Sequence, residues 1–341
     1  MPPTLIGYRS FDRQWALLDN RVVEYLKPKT QAAHSDDQVY IISFLTSVPA
    51  EGPLAVCTTW LPDLDHFRGS YGGKHVIPLW RNATATSPNV TLLLLEKLSS
   101  ELGEEIKPED LFAYVYVILA APTYVQEFWE ALEIPGPRIP ITTEASLFKK
   151  VASLGREMLW IQSYGECFVP EGVKPGTYGL PRGEAKISRA TPQEPSKYPE
   201  EWSYDAYDRT LRIGTDGDSG VVRNVSEEIM AFSISGLRPV KNWLDNRMKS
   251  GSGRRSSPLD DIRPNKWTFD EELLDLLWVL EASMDLYDRA DSLLREVLET
   301  GTFSADSLRK PVKEERKGPD ANLSVVRENV TMFDIHDSGL S

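Results

Sequence analysis

KPEDLFAYVYVILAAP, residues Lys107–Pro122, is the stretch from which the rest of the chain can be read. Pro108 lacks the N–H that goes unbonded in a first helical turn, and Glu109 and Asp110 complement the positive end of the helix dipole. No charge follows until after Pro122, so the segment predicts a buried helix ended by that proline. It is too short to cross a bilayer, as is VTLLLLEKL, residues Val90–Leu98, which charge interrupts.

Working outward, TYVQEFWEALEIPG (Thr123–Gly136) predicts a second helix folding back on the first, because only a few residues separate the two. Beyond it, Leu147, Val151, Leu154, Met158 and Ile161 recur at helical spacing and form the apolar face of a long amphipathic helix. SPNVTLLLLEKLSSELG, with a start signal near Ser87 and Pro88 and a stop at Gly103, adds a helix on the other side. Further toward the N-terminus, RVVEYL, QVYIISFL, PLAVCTTWL and HVIPLW are short β-branched and aromatic runs between polar, Gly and Pro clusters, the pattern of strands.

Toward the C-terminus, Val173–Trp202 is rich in Pro, Gly and charge and reads as a linker or as short edge strands with long loops. YDRTLRIGTDGDSGVVRN alternates around a DGDSG turn and predicts a hairpin. A helix is expected from Thr268 to Leu298, with Leu273, Leu276, Leu277 and Leu280 on one face. The fold class is α+β: a β-rich N-terminal part, a central helical hairpin plus a long amphipathic helix, a second β-rich lobe and C-terminal helices. The expected division is 1–172, 173–300 and a disordered tail over 301–341.

Hydrophobic residues at 41% and charged residues at 26% belong to a folded globular protein. No signal peptide is visible in MPPTLIGYRS, and with no apolar spanning run the expectation is a cytoplasmic protein without a membrane partner. Cys57 and Cys167 form no C-x-x-C pair and sit in apolar surroundings, the pattern of buried free thiols.

Motifs for catalysis are scarce. His34, His66, His75 and His336 lack H-x-x-H or H-E-x-x-H spacing, so no metal site is expected. GSYGGK is shorter than an NTPase phosphate loop and lacks its Ser or Thr, and no G-x-S-x-G elbow occurs. DGDSGV has the letters of a serine-protease motif in the setting of a hairpin turn. Asp260 and Asp261 suit a metal or acid–base pair, or a turn cap beside Arg254, Arg255 or Arg263.

The formal net charge is -13, yet between Arg238 and Lys266 eight basic residues face three acidic ones. Fields fade over roughly 8–10 Å at ordinary ionic strength, so a local basic patch can hold phosphate on an acidic body. In ISGLRPVKNWLDNRMKSGSGRRSS, a short helix with Val240, Trp243 and Leu244 turned inward and Lys241 and Arg247 turned outward leads into Gly, Ser and Arg residues. Backbone amides, hydroxyls and guanidinium groups together hold phosphate oxygens, and Arg also pairs bidentately with guanine. A solvated basic loop balancing nearby carboxylates fits the same composition.

Four segments in order, YRSFDRQW, DLFAYVYVILAAPTYVQEFWEAL with GPRIPITTEASLFKKVASLGREML, ISGLRPVKNWLDNRM, and RRSSPLDDIRPNKWTFDEELLDLLWVLEA, resemble the C-terminal specificity region of type ISP restriction-modification enzymes. The resemblance runs from Tyr8 to Leu298. Those enzymes join nuclease, helicase, adenine-methyltransferase and target-recognition parts in one ATP-dependent chain. The resemblance implies that Tyr8, Arg9, Phe11, Asp12, Arg13 and Trp15 mark the junction with a methyltransferase, Ser10 replacing the usual proline. It implies double-stranded DNA and the methyltransferase and helicase-nuclease portion as partners. Phosphate contacts are expected from Lys74, Arg81, Arg238, Lys241, Arg247, Lys249, Arg254 and Arg255.

The sequence carries no N-P-P-Y or D-P-P-Y and no glycine-rich S-adenosylmethionine loop. The resemblance therefore implies no catalysis and no cofactor on this chain alone, with S-adenosylmethionine, ATP and Mg2+ on the other parts. Two other readings stay open: a non-catalytic interaction protein or degenerate fragment, and a small-molecule enzyme using Asp260 and Asp261.

Overall fold

The computed structural model describes residues 3–19, 28–46, 48–67, 74–176, 180–215, 219–250, 262–308, 310–313 and 315–316. The N-terminal part is built of β1 (Thr4–Arg9), β2 (Asp12–Ala16), a short α1 (Pro28–Ala32), β3 (Tyr40–Phe44), β4 (Ala55–Thr58), β5 (Leu61–Pro62) and β6 (Lys74–Pro78). These strands form two three-stranded sheets, ordered β2-β1-β5 and β4-β3-β6. Every residue of β3 and β4 is buried, as expected of strands covered on both faces. RVVEYL, expected as a strand, lies outside the described residues.

Helices follow: α2 (Leu92–Leu102), α3 (Pro108–Ala120), a single turn α4 (Tyr124–Glu127) and α5 (Ala145–Gln162). Thr91 caps α2, its hydroxyl accepting from the Leu94 N–H, and Gly103 ends it at φ 72°, where a side chain would be strained. The Asp110 carboxylate accepts the Lys107 N–H at 3.2 Å at the start of α3. Nine of the thirteen residues of α3 are buried, so this helix runs through the core as its uninterrupted apolar stretch predicts.

The partner that folds back on α3 is α5, which corrects the expectation for Thr123–Gly136. That segment is helical only over α4 and a 3-10 turn at Ala131–Glu133. The buried Tyr124 hydroxyl pins it by accepting the Arg138 N–H at 2.9 Å and donating to the Arg138 carbonyl, while Trp129 and Ile134 stand exposed, so no continuous apolar stripe exists. In α5 all five residues of the expected face are buried. Gly155 lies where a Cβ would come within 2.1 Å of the Ala113 carbonyl oxygen, so α3 and α5 meet backbone to backbone.

The C-terminal half holds β7 (Lys186–Arg189), β8 (Trp202–Asp205), β9 (Thr210–Ile213), β10 (Gly220–Arg223), α6 (Glu227–Ala231), α7 (Pro239–Arg247) and the 31-residue α8 (Asp270–Thr300). The sheet is antiparallel in the order β7-β10-β9-β8, so part of the Pro- and Gly-rich stretch supplies an edge strand and β9–β10 is the expected hairpin. A polar chain ties three helices together: Tyr116 donates to Gln162, Gln162 Nε2 donates to Ser283 Oγ at 3.1 Å, and Ser283 Oγ donates to the Val279 carbonyl at 2.7 Å. One hydrophobic cluster, from Phe11 to Val297, takes in side chains of all three sheets and the long helices. Burial pushes the Cys57 thiol up to about 12, and that of Cys167 up as well. Among the described residues no helix is long and apolar enough to cross a membrane.

Candidate nucleic-acid interface

The expected phosphate-binding residues lie mainly on and after α7, which begins at Pro239, its fixed φ suiting the first helical position. Val240, Trp243, Leu244 and Arg247 recur at spacings of three, one and three and are all buried. Arg247 therefore points inward, contrary to its expected outward position, because it shares the spacing of the apolar anchors. Its Nη2 donates to Asp12 Oδ1 at 2.9 Å, to Glu272 Oε1 at 2.7 Å and to the Arg13 carbonyl at 3.2 Å. The guanidinium carbon lies 3.9 Å from the centre of a Trp243 ring. Burial disfavours the charge, but the Asp12 and Glu272 carboxylates more than offset that and hold Arg247 above its usual range. This guanidinium is committed to a buried ion triad and is not available to a solvent-side phosphate.

The triad explains where the first expected junction residues sit. Asp12 is 4% exposed at the start of β2, after Phe11 turns the chain at φ 60° and gives its carbonyl to the Tyr164 hydroxyl at 2.7 Å. Arg13 lies over the rings of Tyr164 and Trp60, its guanidinium carbon 4.3 and 5.2 Å from their centres, and its Nη2 is 3.9 Å from Asp275 Oδ2. Arg9 pairs with Asp63 at 2.6 Å and stacks over Tyr8. Trp15, by contrast, is 72% exposed.

Two of the outward cations of this region are matched with acids. Lys241 meets Asp245 at 2.7 Å, one helical turn on, and Lys249 meets Glu200 at 2.5 Å. Arg81 donates to the Glu315 carbonyl at 3.1 Å, distant in sequence from α7. Arg238 is exposed at the N-terminal boundary of α7 and has no ion-pair partner among the described residues. Lys74 opens β6 in register with Phe44; its side chain, together with Arg254, Arg255, Asp260 and Asp261, lies outside the described residues.

A second group of cations escaped the sequence reading. Lys186, Arg189, Arg212 and Arg223 belong to β7, β9 and β10, and the pairing puts them on the face of the sheet turned away from Ile187, Leu211, Ile213 and Val222. None forms an ion pair with a described residue; Arg189 donates instead to the Ser219 carbonyl and hydroxyl at 2.6 and 3.0 Å. They are scattered over 38 residues of sequence, so no basic run betrays them. The available signal is period-two alternation, R-x with apolar neighbours in TLRI and GVVR, read together with strand pairing.

Three solved structures share the architecture. A DrdV–DNA complex aligns over 88% of this chain and 29% of its own, at 18% identity and a TM-score of 0.59. LlaBIII, described as an ATP-dependent type ISP restriction-modification enzyme bound to DNA, aligns over 86% of this chain and 18% of its own at 15% identity and a TM-score of 0.57. A nuclease-deletion mutant of the type ISP enzyme LlaGI, with a DNA substrate mimic, gives 86%, 20%, 15% and 0.54 in the same order. At such identities the likeness is one of fold, and the chain spans less than a third of each of these proteins. No curated protein matches it. The family model for the type ISP C-terminal specificity domain matches residues 1–277, the same family that the four sequence segments resemble. The chain belongs to the type ISP C-terminal specificity domain family.

Proposed function

We propose that this chain is the target-recognition part of a type ISP-like restriction-modification system: it grips duplex DNA, reads a base sequence and presents a target adenine to a methyltransferase located in another part of that system. The observation that carries this reading is the family match over residues 1–277, because a specificity domain is defined by what it recognises. The solved relatives of the same fold are DNA complexes, which supports the substrate class. Catalysis, with S-adenosylmethionine, ATP and Mg2+, falls to the methyltransferase and helicase-nuclease portion.

Recognition of this kind needs two sets of contacts. Phosphate contacts set register and supply most of the affinity, while side chains at base edges supply the sequence information. Extruding the adenine costs a few kcal/mol, which those contacts must offset. We assign phosphate contacts near α7 to Arg238, Arg254 and Arg255, with Lys241 and Lys249 contributing once their carboxylate partners are displaced.

Selection from a pool of randomised duplexes, followed by a salt titration on the enriched sequence and on random duplex, tests the reading. Target recognition gives enrichment of one bounded motif and a log affinity that falls linearly with log salt, with the slope of an Arg254→Ala/Arg255→Ala variant shallower by about one unit per lost contact. Absence of both enrichment and salt-dependent binding overturns it.

A further inference from the structure

The outer face of the four-stranded sheet presents two rows of residues across the strands. Register aligns Ser203, Arg212, Val221 and Arg189 in one row, and Asp205, Thr210, Arg223 and Lys186 in the next. Arg223 and Lys186 stand directly opposite each other, a like-charge pairing that disfavours the sheet. Val221, between Arg212 and Arg189, is only 7% exposed, so the face has an apolar floor between cations. The one acid on these rows, Asp205, lies at the far edge on β8, and its Oδ1 accepts the N–H groups of Tyr207 and Asp208 at 2.9 and 3.2 Å.

Several cations elsewhere on the molecule are held in ion pairs. Arg9, Lys97, Lys149, Lys150, Arg156 and Arg289 all contact carboxylates. In a chain with 51 acidic and 38 basic residues, four cations gathered on one sheet face with no ion-pair partner among the described residues make a local excess of positive charge. We propose, on the basis of the target-recognition reading, that this sheet face is a docking surface for the sugar-phosphate backbone of duplex DNA, with Lys186, Arg189, Arg212 and Arg223 as the phosphate contacts.

Geometry supports that occupant. Strands lie about 4.8 Å apart and alternate residues of one strand roughly 7 Å apart, so the four Cα positions span a patch of about 10 by 7 Å. A DNA strand offers a phosphate for about every 3.4 Å of axis, so such a patch meets on the order of two or three of them. Arginine forks match phosphate oxygens bidentately, and three of the four cations are arginines.

The test is a salt titration of random-duplex binding by the full chain carrying Lys186→Gln, Arg189→Gln, Arg212→Gln and Arg223→Gln together. A control with the same charge change carries Lys97→Gln, Lys149→Gln, Lys150→Gln and Arg289→Gln. A third variant, Arg189→Lys/Arg212→Lys/Arg223→Lys, keeps the charge, so a loss caused only by misfolding of the sheet shows there too. The proposal expects the sheet variant to lose about two or three units of salt slope and to bind on the order of ten- to a hundred-fold more weakly near 0.15 M salt, while the other two keep most of the wild-type slope. A sheet variant with wild-type slope and affinity overturns it and leaves the target-recognition reading intact. Unchanged DNA binding combined with lost binding to poly-glutamate overturns it in favour of an acidic protein partner. If the unaltered chain binds no DNA at any salt, the reading beneath the proposal fails with it.

Discussion

Arg247 and Arg212 are the same residue type on neighbouring parts of the molecule, and they do opposite work. Arg247 is 5% exposed and joins the β1–β2 hairpin to α7 and α8 through Asp12 and Glu272, whereas Arg212 stands on the open side of a sheet with no ion-pair partner among the described residues. Local sequence charge is therefore a poor guide to phosphate binding in this fold; the partner available after folding decides. The basic segment around α7 attracts attention because its cations are close together in sequence, yet three of its described members are held by acids.

The strongest way to break this contrast is to remove the buried member. Arg247→Met leaves the buried Asp12 carboxylate without its counter-charge beside the half-buried Glu272, and stranding a buried charge typically costs about 3–5 kcal/mol. Denaturant unfolding should show that loss, and the DNA salt slope of the remaining folded protein should stay at the wild-type value. A shallower slope at unchanged stability would put Arg247 among the phosphate contacts after all.

A slightly smaller effect should come from the frame that carries both regions. In Gly155→Ala the new methyl group is driven against the Ala113 carbonyl, so α3 and α5 must separate, at about 1–3 kcal/mol. Measured melting should fall without any change in the salt slope, because no cation moves relative to its neighbours.

The frame was the legible part of the sequence. Lys107–Pro122 carries its own start signal, stop signal and unbroken apolar run, and the α5 stripe repeats at helical spacing, so both follow from residues close in the chain. The hairpin β9–β10 was readable for the same reason. What failed depended on distant partners. Thr123–Gly136 does not form the expected long helix, because Tyr124 is bonded to Arg138 across a turn and its apolar residues form no continuous stripe. Arg247 turns inward toward Asp12, 235 positions away, although its spacing from Val240 and Trp243 already pointed there. The sheet cations become neighbours only once β7 pairs with β10.

Asp275 sharpens the buried side of the comparison. Burial, with Glu271 and Glu272 adding to it and Arg13 opposing, pushes this carboxyl up to about 6 from 3.8. Because the folded value lies above the unfolded one, the native state takes up the proton first as pH falls. Its contribution therefore becomes more favourable from about pH 7 downward and levels off below about pH 4. Asp275→Asn should flatten that part of the stability profile and raise stability at pH 7 by on the order of 1 kcal/mol, the lost 3.9 Å contact to Arg13 taking back some of the gain. An unchanged profile between pH 4 and 7 would show that Asp275 is solvated in the folded protein.

The smallest effect should lie at Lys249 and Glu200. Both are more than half exposed, and a solvent-facing pair of this kind is worth about 0–1 kcal/mol, so neither Lys249→Ala nor Glu200→Gln should alter unfolding much. Their effects on DNA binding should differ in sign. In the unaltered chain a phosphate must displace the Glu200 carboxylate from the ammonium before it can bind there, so Lys249→Ala removes a contact that is already partly cancelled and should change the salt slope by well under one unit. Glu200→Gln frees the ammonium and removes a charge that repels the backbone, and it should tighten random-duplex binding and steepen the slope by up to about one unit. Equal and opposite changes of a full unit would mean that Lys249 reaches phosphate despite its partner, and the line drawn between paired and unpaired cations would then have to move.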